Sequence, residues 1–340
     1  MERYLRQIAL GCLGEQAQRR LARARAVVVG CGATGGALAE LLARAGVGRL
    51  RVIDRDLVDR TNLQRQRLFD DADARAARPK ALAAAARLEA INPEIEIEPV
   101  LADLNPANAR ALLGDAECVL DGTDNFATRL LMNDACIEAG TPWVYTGVVG
   151  TVGHTMPIVP GRTACLRCYL PAPPPPGAVP TCESAGVLGA AVDAVAGFAA
   201  AEAIKLLAGA PDAVVPGLLV LDVWARQVRR IEVPADPDCP CCGARRFEFL
   251  AAGTGTAAAA LCGRNAVHVP APPGAPPPDF AALAARLERA GLEPIRLAER
   301  LLRFRAGELE VSVFPDGRAI VRGTEDPARA RALYSRYLGG

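Results

Sequence analysis

Two sets of side chains in this sequence could do chemistry. The first is a group of cysteines spaced to hold a metal. Cys165-Leu-Arg-Cys168 is one CxxC pair, and Cys239-Pro-Cys-Cys242 is a second with Cys241 inside it. Each pair's tight turn presents two sulfurs to one ion. Four thiolates make the closed tetrahedral shell of a structural Zn2+ site, with no open position for catalysis. A redox dithiol needs only one pair, so two pairs favour zinc. Cys165, Cys168, Cys239 and Cys242 are the expected ligands and Cys241 a candidate substitute. About seventy residues separate the pairs, so the site would clip two distant segments together.

The second set suits phosphate. Arg65 and Arg67 carry planar forks that match phosphate oxygens. Lys80 follows Arg78-Pro79 at the expected start of a helix, where a lysine near a phosphate loop can touch ligand. Asp124 lies in Asp121-Gly122-Thr123-Asp124-Asn125. It could hold Mg2+ beside a triphosphate, or the Asp/Asn pair could cap the next helix; both readings stay open here. With only two histidines, His154 and His268, imidazole acid–base chemistry has little to work with.

Other candidates are more ambiguous. Cys182 ends a proline-rich segment, just before a small-residue helix expected over 186–207. A thiol there should be accessible, with a lowered pKa, as a nucleophile requires; the alternative is a surface cysteine of no consequence. Cys12, Cys31, Cys118 and Cys136 fall in apolar runs and read as core filler. Residues 2–24 alternate apolar and basic positions at helical spacing. That pattern favours a packing helix over an arm carrying Arg6 to a phosphate site in a neighbouring subunit.

The elements that must position these residues begin with the stretch from Arg25 to Asp56. A strand over 26–29 leads into Gly30, Gly32 and Gly35 in GxGxxG spacing. A helix over 37–45 and a strand over 50–53 follow, closed by Asp54. Glycines let backbone approach phosphate, the helix N-terminus attracts negative charge, and the acid accepts from ribose hydroxyls. Asp56, Asn62, Gln64, Arg65 and Arg67 then lie beyond that strand's carboxyl end, where open parallel sheets bind ligands. Further alternation follows: helix 81–90, strand 95–100, helix 107–113, strand 118–120, helix 128–139 and strand 143–148. This predicts an α/β fold with a doubly wound, mostly parallel sheet.

Composition narrows the function classes. The chain has 340 residues, half of them hydrophobic, and a net charge of +1. That balance argues against a nucleic-acid footprint. No apolar run reaches membrane-spanning length, and the charged N-terminus lacks a signal-peptide pattern, so a cytoplasmic protein is expected. Eleven cysteines then need a reason other than disulfides. Residues 246–278 read as linker-like. Residues 279–340 read as a small α+β module, with helices over 280–291 and 326–338, strands over 301–304 and 309–314, and a return strand over 319–321.

Together, Arg3-Tyr4-Leu5-Arg6-Gln7, GxGxxG, Asp54-Arg-Asp56, Asn62-Leu-Gln-Arg-Gln66, Arg78-Pro-Lys80, Asp121–Asn125, the two CxxC pairs and Thr181–Gly189 carry a resemblance. The chain resembles the ThiF/MoeB adenylyltransferases over roughly residues 2–245. The resemblance implies a Rossmann-like sheet of the ubiquitin-activating-enzyme type, with 1–245 as adenylation domain. It implies an enzyme in which the C-terminal glycine of a ThiS- or MoaD-like sulfur carrier attacks the α-phosphate of ATP. Gly32, Asp54, Asn62, Arg65, Lys80, Asp124 and the adjoining Gly30, Gly35, Asp56 and Asn125 match nucleotide-binding positions, with Asp124 the Mg2+-associated carboxylate. Arg6 matches an arginine supplied by the partner subunit of a homodimer, which reverses the packing-helix reading. Cys182 matches a cysteine that in some members links covalently to the carrier. A cysteine desulfurase or another sulfur donor would complete the partner set. The family usually has GxGGLG, whereas Ala33-Thr34 stands here, and alanine lacks glycine's freedom at positive φ. Two rival readings are a dinucleotide oxidoreductase and a zinc-stabilised carrier-binding scaffold without catalysis.

Overall fold

Ala26, Val27, Val28 and Val29 are all buried, and their alternation feeds two cores, because successive strand residues face opposite sides. In the computed structural model they form β1 (Arg25–Val29). Parallel partners follow: β2 (Arg49–Ile53), β3 (Glu96–Val100), β4 (Cys118–Asp121) and β5 (Trp143–Val149). Then β6 (Val152–Ile158), β7 (Leu218–Asp222) and β8 (Gln227–Ile231) extend the sheet antiparallel. The order is β3-β2-β1-β4-β5-β6-β7-β8. The expected parallel half is present; the three antiparallel strands were not anticipated. All residues are described except 176–177, 181, 253–258, 262–264, 273, 294, 297–300 and 340; the side chains of 182–183, 259–261 and 295–296 are also outside the description.

The expected N-terminal helix is broken. Glycines 11 and 14, poor helix formers, separate α1 (Leu5–Ile8) from α2 (Gly14–Leu21). After β1 comes α3 (Ala33–Ala45), which ends on Gly46 at φ +83. Next are α4 (Asp71–Arg75), α5 (Lys80–Ile91), α6 (Ala109–Leu113) and α7 (Phe126–Ala139). Then α8 (Leu166–Tyr169), α9 (Cys182–Ala185), α10 (Gly189–Leu207) and α11 (Glu248–Ala251) complete this part.

Helices cover both sheet faces. Leu38 and Leu42 of α3, Leu88 of α5 and Val192 and Val195 of α10 pack with Val28, Leu50 and Val52. On the other face Leu113, Leu130 and Met132 pack with Val27, Val29, Ile53 and Trp143. Burying each of these side chains stabilises by roughly 1.5–3 kcal/mol, so the sheet is a rigid platform. Among the described residues no helix is long and apolar enough to cross a membrane. Cys31, Cys118 and Cys136 are buried as expected, but Cys12 is exposed, because the chain bends away between α1 and α2.

The chain divides into two units, Met1–Gly253 and Thr254–Gly340. In the second, β9 (Ala259–Leu261), β10 (Ala266–Val269), β11 (Ile295–Arg296), β12 (Leu302–Ala306), β13 (Leu309–Val313) and β14 (Ala319–Arg322) form one antiparallel sheet. Its helices are α12 (Phe280–Arg289) and α13 (Pro327–Tyr337). Val267, Leu283, Leu287, Phe304, Val311 and Val321 share its core. The 246–278 stretch, read as linker-like, thus contributes α11 to the first unit and β9 and β10 to the second. Cys262 lies outside the described residues.

Candidate functional site

The chain leaves β1 at Gly30, whose φ of +79 suits glycine. A Cβ on Gly30 would stand 2.7 Å from the Gly122 carbonyl oxygen, and one on Gly35 would overlap the Gly30 carbonyl oxygen. These contacts bring the β1–α3 turn, the first turns of α3 and the end of β4 backbone to backbone. This is the point where strand order reverses, the usual ligand crevice of such sheets. Gly32 differs: it is the N-cap of α3 at φ −68, and a Cβ there would meet only the Gln66 amide, at 3.4 Å. No side chain caps α3, so its first amides are available to an anion. Ala33 and Thr34 lie in the first turn, and neither has positive φ. Alanine fits the loop.

Asp54 does a different job from the one its position suggests. Its Oδ2 accepts from Cys31 N at 2.8 Å and its Oδ1 from Asp56 N at 2.7 Å. The carboxylate staples the glycine loop to the end of β2. That leaves its remaining lone pairs for a ribose. Burial, then the adjacent Asp54 charge, pushes the Cys31 thiol well up, so Cys31 is inert filler. Lys80 opens α5 with Pro79 as N-cap, one position before the first turn. Its side chain is only 3% exposed, and Nζ lies 3.3 Å from Asp56 Oδ2. A buried ammonium is costly unless paired, so this pair holds a positive charge at the strand ends.

The 60–67 segment follows. Asn62 is buried, and its Oδ1 and the Oε1 of buried Gln66 have no hydrogen-bond partner among the described residues. Arg65 is half-buried and donates from Nη1 to Thr61 O at 3.0 Å. Arg67, read as a phosphate fork, instead bridges Glu40 at 2.8 Å and Asp193 at 3.1 Å, tying α3 to α10. The α10 N-terminus also approaches this segment: a Cβ on Gly189 would lie 3.2 Å from Gln64 O.

At the end of β4 the two readings of the Asp/Asn pair separate. Asn125 Oδ1 accepts from Thr128 N at 2.9 Å and caps α7. Asp124 is exposed and makes no hydrogen bond or ion pair with the described residues. It is therefore a carboxylate with no short-range partner among the described residues, within electrostatic reach of Arg55 and Arg129, and suited to a divalent cation. Beneath it, buried Asp121 pairs with Arg129 Nε at 2.9 Å, and Arg129 Nη2 donates to Thr123 O at 2.6 Å and Thr146 O at 3.1 Å. That ion pair fixes the 121–125 loop from below. The sequence reading named Gly122 and Gln66 only as members of motifs, with no role of their own, and missed Arg129.

Arg6 is not at this crevice in its own chain. Gln7 donates to Ala45 O at 2.9 Å, and Tyr4 packs on Gly46, at the far end of α3. Thirteen residues of helix set that end about 20 Å from the glycine loop. Arg6 is exposed. Cys182 opens α9, and its side chain lies outside the described residues.

The cysteine cluster is assembled on the opposite face from α10. The sulfurs of Cys165, Cys168, Cys239 and Cys242 all lie within 4.8 Å of one another. Individual separations are 3.6 Å for Cys165–Cys239, 4.0 Å for Cys165–Cys168 and 3.4 Å for Cys168–Cys242. A tetrahedral Zn–S4 centre has edges of about 3.8 Å, so the set fits that ion. Hydrogen bonding from Cys241, ahead of the other cluster thiols, holds Cys165 down to about 4, while burial pushes Cys242 up. Holding all four as thiolates this close together would need a cation. Cys241 is not in the four.

A sequence profile for the ThiF family matches residues 4–241. The chain belongs to the ThiF family. Among its relatives, the sulfur carrier protein ThiS adenylyltransferase of Bacillus subtilis (strain 168) is 41% identical over 340 residues, 99% of each chain. That match includes the C-terminal unit. The sulfur carrier protein adenylyltransferase of Thermus thermophilus is 40% identical over 248 residues, covering 72% of this ThiF-family chain and 91% of the relative. The fold is similar to the crystal structure of E. coli MccB, with a TM-score of 0.62 and 22% identity over 71% of this chain and 72% of that one.

Proposed function

We propose that this ThiF-family chain is a nucleotidyltransferase that adenylylates the C-terminal glycine of a ubiquitin-like sulfur carrier. The single observation that carries the reading is the set of groups gathered at the β1–β4 crossover. Uncapped α3 amides, buried Lys80, half-buried Arg65 and exposed Asp124 would border one crevice, as a triphosphate requires. The 41% identity to the Bacillus protein over both units supports the carrier as substrate.

In this reading ATP lies with its phosphates on the α3 N-terminus. Asp54 accepts from the ribose. Lys80 and Arg65 neutralise the triphosphate. Mg2+, held by Asp124, would supply further positive charge there. The carrier's glycine carboxylate is already ionised at neutral pH, so no base is needed. It attacks the α-phosphorus, the bond to the bridging oxygen breaks, and pyrophosphate leaves with that electron pair. The chain's residues act by positioning and charge neutralisation.

Arg6 reaches the crevice from the second subunit of a homodimer, since its own α3 holds it away. Zn2+ at the four cysteines is structural. The paucity of other roles for eleven cysteines fits a cytoplasmic protein. Carrier-dependent exchange of labelled pyrophosphate into ATP tests the proposal. Exchange with a ThiS- or MoaD-like carrier ending in Gly-Gly is expected. Nicotinamide or flavin binding without exchange would favour an oxidoreductase, and carrier binding without exchange a scaffold.

A further inference from the structure

One buried polar group belongs to neither the crevice nor the four cysteines. Asn133 sits fully buried on α7. Its Nδ2 donates to Cys241 Sγ at 3.1 Å and to Cys165 Sγ at 3.7 Å, and its Oδ1 accepts from Leu166 N at 2.9 Å. All three hydrogen bonds of this amide to described residues are therefore aimed at the cysteine knot. Leu166 is the first residue of the turn that follows Cys165, so the carbonyl oxygen fixes the CxxC turn itself. The two N–H groups divide between one sulfur inside the group of four and one outside it.

Spacing alone does not choose among the three thiols of Cys239-Pro-Cys241-Cys242. A buried Cys241 one residue from Cys242 is a competitor for the same ion. Its sulfur is nonetheless held on the α7 side by Asn133 and by the neighbouring Asp134 carboxylate, and the group within 4.8 Å is completed by Cys239 and Cys242. Hydrogen bonds to metal-bound sulfur also orient the ligand and slow its loss.

We infer that Asn133 is the positioning residue of the metal centre, holding Cys165 in the ligand set and Cys241 out of it. This rests on the four cysteines binding zinc. The amide lends no ligand atom; it acts through the sulfurs and the Leu166 N–H.

The test is zinc content and the rate of zinc transfer from the full chain to a colorimetric chelator, below the melting temperature. Wild type and Cys241→Ser are expected to hold one zinc per chain and to release it at the same rate. Asn133→Leu removes all three hydrogen bonds. Asn133→Asp keeps an acceptor for Leu166 N and loses both donors, so it serves if the leucine variant does not fold. Both variants should release zinc roughly tenfold faster or more. Their cobalt-substituted forms should show an altered visible band, which a purely structural loss of stability would not change. Folded Asn133→Asp protein releasing zinc at the wild-type rate would overturn the inference, as would faster release from Cys241→Ser. A wild-type chain that binds no zinc would instead remove the four-cysteine reading on which the inference stands.

Discussion

In the proposed reaction Lys80 is the residue on which the crevice chemistry leans most. Its ammonium is almost fully enclosed, yet among the described residues it faces only one carboxylate oxygen within ion-pair reach, on Asp56. Lys80→Met should lower pyrophosphate exchange about 10²–10³-fold, the usual scale for losing one preorganised charge-stabilising group. The same change should cost about 1–3 kcal/mol of stability, read by thermal melting without nucleotide. Lys80, Asp124 and the four clustered cysteines stood out in the sequence because each announced itself by type and local spacing, and the structure sets Lys80 and Asp124 at strand ends and gathers the four sulfurs. Arg67 looked equally good and was not, since its partners Glu40 and Asp193 lie far away in the chain. Arg129 and Asn133 were passed over inside an apolar helix. They stand four apart, on one helix face, buried polar residues in a mostly apolar stretch that also holds Asp134. That spacing was the signal available for both. Gly122 offered no local signal, because its meaning comes from Gly30 and Gly35 across the sheet.

At the scale of elements, the β1–α3 turn works because three backbones touch. Gly35→Ala should destabilise the protein by about 1–3 kcal/mol and abolish nucleotide binding, as measured by a melt with and without ATP. The added methyl can be relieved only by prising α3 from the end of β4. The parallel strands were legible because each apolar run is followed by a helix at regular intervals. The antiparallel β6, β7 and β8 were not. Gly153, His154 and Pro157 interrupt the apolar pattern of β6, and all five residues of β8 are exposed at the sheet edge. In the C-terminal unit the Pro315–Gly317 turn and its flanking strands matched expectation, whereas the short β9 and β11 lay below what periodicity resolves.

For the molecule as a whole, the proposed role of Arg6 requires a second subunit, because its own α3 holds it away from its own glycine loop. Arg6→Ala and Lys80→Ala chains should each be inactive. Mixed after dissociation, they should recover about a quarter of wild-type exchange, because half the dimers would carry one intact site of two. Recovery absent from mixed dimers whose formation is verified would show that Arg6 does not act across subunits. The cysteine cluster has a further effect on the chain that contains it. Cys165 and Cys239 are 74 positions apart, as are Cys168 and Cys242, and α10, β7 and β8 lie between them. An ion that stayed on both pairs in the unfolded chain would tie off a loop of that length. On a cross-link estimate this removes denatured-chain entropy equivalent to about 4 kcal/mol. Resistance to unfolding would then depend on the availability of the ion, although the ion sits on the face of the sheet remote from the helix that carries Asp193.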